Sequence, residues 1–369
     1  MTLSCPPPLP GSARFQASRH THAATTLSCP SPLPAKDRIL LGHGSGGKLS
    51  AELIRDVFLP VFRSPVLNRL DDQAVVEIGG ARLAFTTDSF VVKPLFFRGG
   101  DIGSLAVHGT VNDLAMCGAE PLYLSAAFIL EEGFEISALR RIGESMAQAA
   151  EAAGVEIVTG DTKVVEQGSG DGVFINTTGI GLVPPGLNLS AANARPGDLV
   201  LLSGTLGDHG IAILSEREGI AFDTPVGSDS AALHTLVREM LAAAPGIRAM
   251  RDPTRGGLAS ALNEIAAQSG VGMALEETAI PVREEVRGAC EMLGLDPLYV
   301  ANEGKLVAIV APDSADAVLA AMRRHPLGAE ASIIGTVTIS HRGIVTVKTA
   351  FGTTRLVNML AGDQLPRIC

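Results

Sequence analysis

The pattern of hydrophobic and polar positions from residue 39 onward predicts a chain of mixed helices and strands. In the first half the predicted strands are residues 82–92, 155–159 and 173–183, and the predicted helices are residues 101–117 and 135–153. The first strand rests on alternating apolar and polar residues, and the second helix on apolar residues at helical spacing. Asp101 is a typical N-cap and Gly154 a typical stop signal. These signals predict an N-terminal α/β domain.

A polar, proline-containing stretch at residues 184–197 predicts a domain boundary. Beyond it the predicted strands are residues 198–203, 306–310, 331–339 and 344–348, and the predicted helices are residues 206–217, 230–244, 257–269 and 282–293. This alternation favours an α/β sandwich-like second domain. The last twelve residues lack periodicity and predict a mobile tail. The predicted divisions are a leader at 1–36, an N-terminal domain at 37–185, a C-terminal domain at 186–357 and a tail at 358–369.

The first 36 residues differ in composition from the rest of the chain. They contain no Asp or Glu and many prolines, and residues 2–10 recur with small changes as residues 26–34. Proline at this density blocks helical and ladder hydrogen bonds, so we interpret the segment as a disordered or polyproline-like leader. A dispensable extension and a docking role for the repeat are both open.

Composition argues against several classes of function. The formal net charge is −10 with no cluster of Lys or Arg, and aromatic residues make up 4% of the chain, so nucleic-acid binding is not expected. No apolar run reaches the roughly 18–20 residues of a membrane span. The five cysteines form no CxxC pair, which is typical of a cytoplasmic protein and argues against zinc. Cys117 and Cys290 lie in apolar helical patterns and are expected in the core.

A glycine-rich segment near the start of the predicted N-terminal domain is the first candidate phosphate site. Residues 42–48 read GHGSGGK, and the candidate nucleotide-binding residues are His43, Gly46 and Gly47. The glycines would let backbone N–H groups approach an anion closely. The P-loop pattern GxxxxGK[ST] is absent, and a plain flexible loop is the alternative.

Polar residues at the ends or in the middle of predicted elements form the second candidate site. They are Asp71, Asp72, Asp88, Asn112, Asp113, Asp161 and Asp252. Carboxylates in apolar surroundings are costly unless they are paired or bound to a cation, and hard oxygen ligands suit magnesium that substrate phosphates complete. Turn formation or capping is the alternative, above all for Asp71 and Asp161. It explains Asn112 and Asp113 less well, because these two lie in an apolar helix.

Three further residues are candidates for chemistry. Lys163 follows a strand that looks buried and would neutralise negative charge developing on a phosphate or oxygen. Glu303 precedes a predicted strand and would act as a base. Cys369 ends the chain on a thiol in a proline-kinked peptide, where its thiolate would capture an activated acyl-type group. Solvated loop charges and a chance C-terminus are the alternative interpretations.

Eight motifs in order give the chain a resemblance to one family. They are residues 43–47, 72–74, 87–89, 160–165, 203–210, 251–257, 301–305 and 366–369. Together they resemble the hydrogenase maturation protein HypE family, part of the aminoimidazole-ribonucleotide synthetase superfamily. The resemblance runs from about residue 39 to Cys369. It implies a two-domain, PurM-like mixed α/β (α+β) architecture, with the dimer and ATP site on the N-terminal domain and a flexible C-terminal tail.

The resemblance also implies an activity and partners. A carbamoyltransferase, HypF, would load a carbamoyl group onto Cys369. The chain would then use ATP to phosphorylate the carboxamide oxygen and eliminate phosphate, which leaves a protein thiocyanate. The cyano group would pass to iron held by a HypC–HypD scaffold, for the active site of a nickel–iron hydrogenase.

Roles for the candidate residues follow from the same resemblance. Glu303 would remove nitrogen protons and Lys163 would stabilise charge. The residues implied to bind magnesium and ATP are Asp72, Asp88, Asp113 and Asp252, with Asn112 and Asp161 beside them. The loop that contains His43, Gly46 and Gly47 would contribute across a homodimer interface.

Two other classes of function stay open from the sequence. Another member of the superfamily would use ATP on a small molecule; a selenophosphate synthetase would need a reactive cysteine or selenocysteine in the loop at residues 42–47, which has none. A ribonucleotide synthetase or thiamine-phosphate kinase would not need Cys369. A non-enzymatic metal-assembly scaffold would bind partners through the tail and the leader, and should not hydrolyse ATP.

Overall fold

The computed structural model describes residues 38–220, 226–362, Leu365 and residues 367–369, so the predicted leader lies outside the described residues. Helices of this part of the chain are α1 (Lys48–Leu53), α2 (Leu59–Phe62), α3 (Ile102–Met116), α4 (Ile136–Ala153), α5 (Asp208–Glu218), α6 (His234–Ala243), α7 (Gly257–Ser269), α8 (Glu284–Leu293) and α9 (Pro312–Arg324). A π-helical turn, Ile54–Phe58, joins α1 to α2. None of these described helices has both the length and the hydrophobicity needed to cross a bilayer.

The strands of the N-terminal half are β1 (Ala74–Ile78), β2 (Ala81–Phe90), β3 (Phe96–Phe97), β4 (Gly100–Asp101), β5 (Glu120–Glu131), β6 (Glu156–Val165) and β7 (Val173–Leu182). Those of the C-terminal half are β8 (Leu199–Leu202), β9 (Ile247–Arg251), β10 (Gly272–Glu276), β11 (Val307–Val310), β12 (Ser332–Thr338), β13 (Val345–Lys348) and β14 (Thr354–Val357).

Each half of the chain builds its own sheet. The N-terminal sheet has the order β1-β2-β7-β5-β6, in which β5 and β6 are parallel and the other neighbours antiparallel. The C-terminal sheet has the order β14-β13-β10-β12-β8-β11-β9, in which β10 and β13 are parallel. Residues 40–369 nevertheless form one compact unit. Both halves are mixed α/β, which confirms the predicted fold class.

Local capping residues set where several helices begin and end. Asp101 Oδ1 accepts hydrogen bonds from Gly103 N and Ser104 N, which confirms it as the N-cap of α3. The next helix, α4, stops at Gly154, whose φ of 66° is the left-handed conformation of a helix terminus. Gly207 has a φ of 84°, so α5 begins two residues later than predicted.

The structure also differs from the predicted elements in ways that bear on the site. α6 begins at His234 rather than at residue 230, because the preceding residues contact two other helices. Ser228 Oγ forms a hydrogen bond with the ring of His209 in α5, and Ser230 Oγ forms one with the ring of His108 in α3. β6 continues beyond its predicted end at residue 159 as far as Val165. The elements that the sequence pattern missed include β5, β9, β10, β14 and α9, besides the short α1, α2, β3 and β4.

Helices cover both faces of the C-terminal sheet, as the alternation along β11 shows. Val307 and Ile309 pack in the core formed with α7, whereas Ala308 and Val310 pack in the core formed with α6 and α9. A strand that is buried on both faces is expected to consist of consecutive apolar residues, and β11 does. The predicted sandwich-like packing is therefore present in this half.

The N-terminal sheet is covered on one face, where α3 packs with α4 outside it. On the other face Phe85, Ile180 and Tyr123 lie directly opposite one another on β2, β7 and β5, and all three are exposed. We call this surface the open sheet face. A row of large apolar side chains in solvent is unusual for a monomer and typical of an interaction surface.

We expect Asp101→Ala to lower the midpoint of thermal unfolding by about 2–4 °C, because loss of an N-cap costs about 1 kcal/mol. Circular dichroism measures the midpoint. The matched control is Asp313→Ala, since Asp313 lies in the first turn of α9 but is not its N-cap residue. Equal shifts in the two variants would contradict the capping role.

Candidate active site

Four aspartates from separate elements approach one another where the two halves of the chain meet. Asp72 precedes β1, Asp88 lies in β2, Asp113 lies in α3 and Asp252 follows β9. Burial, followed by the negative charges of the other three aspartates, raises the pKa of Asp113 well above its ordinary value. Such coupling requires short separations in a poorly hydrated cleft. The structure therefore brings together the four residues predicted to bind magnesium.

Neighbouring side chains fix the acidic cluster. Thr86 Oγ1 lies 2.8 Å from Asp113 Oδ2 and 3.1 Å from the carbonyl oxygen of Asp72. Arg251 Nε donates to Asp72 Oδ1 at 2.9 Å, and Arg251 Nη1 lies 2.9 Å from Glu264 Oε2. Because Arg251 is shared between two acids and largely shielded from water, it holds Asp72 in place more firmly than a surface ion pair would.

The glycine-rich loop packs on Arg255 and on the end of the chain. Arg255 Nη1 donates to Gly44 O at 3.0 Å. Gly46 has a φ of 71°, and a Cβ at this position would lie 2.6 Å from the carbonyl oxygen of Arg255, so only glycine permits this approach. A Cβ at Gly47 would likewise collide with the carbonyl oxygen of Leu360. The loop thus packs on its own chain, and the contribution across a dimer interface that the resemblance implies stays a prediction.

The end of the chain lies in the same cleft. Val91 N donates to Cys369 O at 2.9 Å, and the side chain of Ile368 is buried in the N-terminal core. Beside them is a cavity of about 210 Å³, lined by the glycine-rich loop, Arg255 and the last residues of the tail. The tail predicted to be mobile therefore has a docked position, and its mobility stays a prediction.

The thiol of Cys369 faces Glu303 and Arg255. Burial is the main cause that raises the pKa of this thiol well above its ordinary value; the charges of Glu303 and Asp88 and a hydrogen bond with Glu303 add to it, and Arg255 opposes it. Burial, followed by the charge of Asp252, also raises the pKa of Glu303. Among the described residues Glu303 Oε1 has no hydrogen-bond partner. A carboxyl oxygen that is free to exchange a proton thus lies next to the terminal cysteine.

The donor set of the cleft fits magnesium bound together with a phosphate ligand. Burial raises the pKa of Asp72 to about 6 against the opposing charge of Arg251, and burial with the charge of Asp72 raises that of Asp252 to about 8. A cation would relieve this repulsion. Among the described residues, no three acidic, cysteine or histidine side chains converge closely enough to hold a metal by themselves. Magnesium commonly uses one or two carboxylates plus substrate phosphates, so the arrangement suits it.

Comparison with known proteins identifies both halves of the chain. The N-terminal domain of AIR synthase related protein matches residues 70–183, and its C-terminal domain matches residues 195–348. Carbamoyl dehydratase HypE of Cupriavidus necator is 63% identical over 333 residues, which are 90% of this chain and 95% of that one. Carbamoyl dehydratase HypE of Escherichia coli K12 is 47% identical over 90% of this chain and 100% of that one. The chain belongs to the HypE family.

Solved HypE structures share this architecture. A crystal structure of a HypE–HypF complex is 51% identical with a TM-score of 0.80, covering 84% of this chain and 99% of that one. A crystal structure of HypE in complex with ATP is 52% identical with a TM-score of 0.76, covering 90% of this chain and 100% of that one. Thiamine monophosphate kinase of Aquifex aeolicus, 22% identical with a TM-score of 0.62, covers 84% of this chain and 99% of that one and shares the fold alone.

Two predicted site residues of this HypE chain lie away from the cleft. Asp161 and Lys163 lie within β6, where Lys163 Nζ donates to Asp161 Oδ2 at 2.7 Å and both side chains are mostly exposed. The expectation that Lys163 follows a buried strand was wrong, because β6 is an edge strand exposed along most of its length. An exposed pair of this kind contributes little to stability. Catalytic roles for Asp161 and Lys163 stay predictions.

The side chains of Asn112 and His43 form hydrogen bonds within the chain. Asn112 is buried, and its Nδ2 donates to the carbonyl oxygens of Ala231 and Glu303, while its Oδ1 accepts a backbone N–H of the C-terminal half. Both N–H donors of this amide and one of its two acceptor sites are therefore used within the chain, and a contact of Asn112 with a nucleotide stays a prediction. His43 Nδ1 accepts from Leu40 N at 2.9 Å, so the ring closes its own turn, and its contact with a nucleotide stays a prediction.

Sequence reasoning missed the two arginines of the cleft. Arg251 pairs with Asp72, and Arg255 Nη2 lies 4.0 Å from Asp88 Oδ1. Both arginines belong to the motif at residues 251–257, where a positive residue on each side of Asp252 was the available signal. The cleft therefore combines carboxylates with fixed positive charge.

We expect the unfolding midpoint of the metal-free protein to fall as the pH rises from about 5 to 8. The raised pKa values of Asp72 and Asp252 mean that the folded state binds more protons than the unfolded state in this window, so stability declines with pH. Asp252→Asn removes one of these charges and is expected to flatten the decline and raise the midpoint at pH 8 by about 2–4 °C.

The measurement is thermal unfolding in a chelating buffer across that pH range. Asp313→Asn is the matched control, because Asp313 is exposed on α9 and outside the cleft. An unaltered pH slope in Asp252→Asn would contradict the electrostatic description of the cluster.

Proposed function

We propose that this chain is an ATP-dependent carbamoyl dehydratase that acts on a carbamoyl group carried by its own Cys369. The observation that carries the proposal is the docked C-terminus, with the thiol beside Glu303 and Arg255 and near Asp88 of the acidic cluster. A substrate attached to that sulfur would lie between a base and a magnesium-binding cluster. The product would be a protein thiocyanate that supplies cyanide ligands to a nickel–iron hydrogenase.

Family relatives support the co-substrate and one partner. A relative 52% identical has been solved in complex with ATP, and another, 51% identical, in complex with HypF. We therefore propose ATP as the phosphoryl donor and HypF as the carbamoyltransferase that loads Cys369. Delivery of the cyano group to a HypC–HypD iron scaffold completes the proposed sequence.

The proposed chemistry turns a poor leaving group into a good one. The carboxamide oxygen attacks the γ-phosphorus of ATP, the bond to ADP breaks, and one nitrogen proton leaves. The C–O bond to the new phosphate then breaks as the second nitrogen proton is lost, which forms the carbon–nitrogen triple bond on sulfur. Both steps need a base at the nitrogen, and in-line transfer needs the charge of the phosphates neutralised.

Residues of the cleft suit these tasks. Glu303 is the proposed base, because burial and the charge of Asp252 raise its pKa well above its ordinary value, and a carboxylate with a raised pKa is a stronger proton acceptor. Magnesium held by the aspartates would neutralise phosphate charge when bound with the nucleotide. Arg255, close to Asp88 and Gly44, adds positive charge on the side of the glycine-rich loop.

Docking and loading require different positions of the tail. In the docked position the raised pKa keeps the Cys369 thiol protonated, and a thiol is a far weaker nucleophile than a thiolate. We therefore propose that HypF loads the cysteine while the tail is outside the cleft. Dehydration would follow after the tail has returned.

A homodimer would give a role to the open sheet face and to Lys163. That face carries the exposed row of Phe85, Ile180 and Tyr123, and Lys163 lies on the neighbouring edge strand. Burial of the apolar row against a second copy would remove it from water. Any catalytic contribution of Lys163 would then be exercised in the assembled dimer.

We expect intact-protein mass spectrometry to show a carbamoyl adduct that then loses one water, after incubation with HypF, carbamoyl phosphate and ATP. Cys369→Ala should never gain mass, because it lacks the attachment site. Glu303→Gln should gain the carbamoyl group but lose water at least about 100-fold more slowly, as expected for removal of a general base. Glu284→Gln, an exposed glutamate on α8, is the matched control and should behave as the wild type.

Two results would count against the proposal. If the wild type never gains mass although HypF is active, the carbamoyl group is not carried on this chain. If Cys369→Ala gains and dehydrates the adduct like the wild type, the carrier is another residue.

A further inference from the structure

The last three residues pair with a backbone segment at the mouth of the cleft. Val91 N donates to Cys369 O at 2.9 Å, and Lys93 N donates to Arg367 O at 3.1 Å. Because the tail number falls by two as the partner number rises by two, the tail runs antiparallel to residues 91–93, like an added strand. These two hydrogen bonds bind backbone carbonyl oxygens on one edge of the tail.

Two side chains of α5 also bind the tail, His209 on the opposite edge and Arg217 on the edge that pairs with residues 91–93. His209 Nε2 lies 2.7 Å from Ile368 O, and Arg217 Nη2 donates to Arg367 O at 2.6 Å. Arg217 Nε also donates to Lys93 O at 2.8 Å, so one guanidinium joins the tail to the segment with which it pairs. The carbonyl oxygens of three consecutive tail residues are thereby all bound.

The ring of His209 has one tautomer that satisfies its contacts. A carbonyl oxygen can only accept, so Nε2 carries the proton and donates to Ile368 O. Nδ1 then accepts from Ser228 Oγ at 2.8 Å, in the neutral ring that burial favours by lowering the pKa of His209. Phe97 lies edge-on to the imidazole at 5.7 Å between ring centroids. The ring is therefore oriented before the tail arrives.

One tail side chain serves as the apolar anchor. Ile368 is 4% exposed and packs in the same core cluster as Phe97 and Ile213. None of these contacts uses the sulfur of Cys369, whose pKa responds instead to Glu303 and Arg255. Cys369 and Leu365 also pack against this cluster, but the backbone hydrogen bonds of the tail and the Ile368 side chain do not involve the sulfur.

We propose that His209 and Arg217 are positioning residues that hold the tail in the cleft through its backbone, with Ile368 as the anchor, so that docking does not depend on what the sulfur carries. We call this set of contacts the tail latch. Its importance for catalysis rests on the proposed function, whereas the docking itself does not. A free, carbamoylated or cyanated Cys369 would be held in the same way.

Alkylation of Cys369 in the full chain by iodoacetamide tests the latch without ATP or any partner. Peptide-resolved mass spectrometry follows each cysteine separately, and a synthetic peptide of the last five residues gives the rate for an undocked tail. In His209→Ala we expect Cys369 to react roughly tenfold faster than in the wild type, because a buried hydrogen bond to the tail is lost. Arg217→Gln, at a partly exposed position, should accelerate the reaction roughly threefold.

The matched control is His108→Ala. His108 bonds to Ser230 Oγ at 2.9 Å, in the same loop as the Ser228 partner of His209, and makes no described hydrogen bond to the tail. Its variant should leave the Cys369 rate within about twofold of the wild type. The buried Cys117 and Cys290 report folding in every variant, since both should stay unreactive while the core is intact.

Each outcome decides the point. The tail latch is supported if Cys369 is alkylated faster in both latch variants while Cys117 and Cys290 stay unreactive and the control variant reacts at the wild-type rate. If His209→Ala misfolds, Arg217→Gln alone tests the proposal. Wild-type Cys369 that reacts as fast as the peptide, or latch variants at the wild-type rate, would overturn it. In the dehydration assay the latch variants should turn over more slowly at an unchanged KM for ATP, and wild-type protein that shows the latch but no dehydration would refute the proposed function alone.

Discussion

The side-chain amide of Asn112 joins the two halves of the chain with three hydrogen bonds. Nδ2 donates to the carbonyl oxygens of Ala231 and Glu303, and Oδ1 accepts from Leu233 N, all in the other half. The neighbouring residue on the helix is Asp113, a member of the acidic cluster. The proposed base and the proposed magnesium ligands therefore have a fixed relative position, because one buried amide ties the strand-entry loop of one domain to the central helix of the other. Leaving any of these groups unpaired would cost about 1–3 kcal/mol.

The loop that contains Glu303 is also held by the charged side chain of Asp229. Asp229 Oδ1 accepts from Glu303 N at 3.0 Å, and Asp229 Oδ2 pairs with Lys305 at 2.9 Å, both nearly buried. Residues 228–230 thus connect the Glu303 loop with His209 on one side and His108 on the other. The cleft is assembled by contacts between distant parts of the sequence rather than by any one motif.

Much of this architecture follows from local sequence, and the rest follows from contacts that no local pattern contains. The N-cap Asp101 and the stop at Gly154 act within one turn of their helices, so their signals can be read directly. Asp72 and Asp252 could be singled out because they lie beside element ends, and Asp113 because it lies in an apolar helix. The grouping of these three with Asp88, which lies within β2, came from the family resemblance. The exposure of Lys163 was not predictable from the sequence. An apolar run in a strand has the same sequence pattern whether its second face is covered by a helix or exposed to solvent. Asn112 was assigned to nucleotide binding for a similar reason: a polar residue in an apolar helix signals a buried partner without naming it.

A terminal cysteine that docks in its own chain changes what kind of substrate the cleft receives. The twelve residues from Val357, at the end of the last strand, to Cys369 span at most roughly 40 Å when fully extended. A group carried on the sulfur, as proposed above, would therefore be presented at an effective concentration set by the length and stiffness of the tether, not by its amount in the cell. Each copy of the chain would present one such group at a time, so every further round would require the tail to leave the cleft, be loaded again and return.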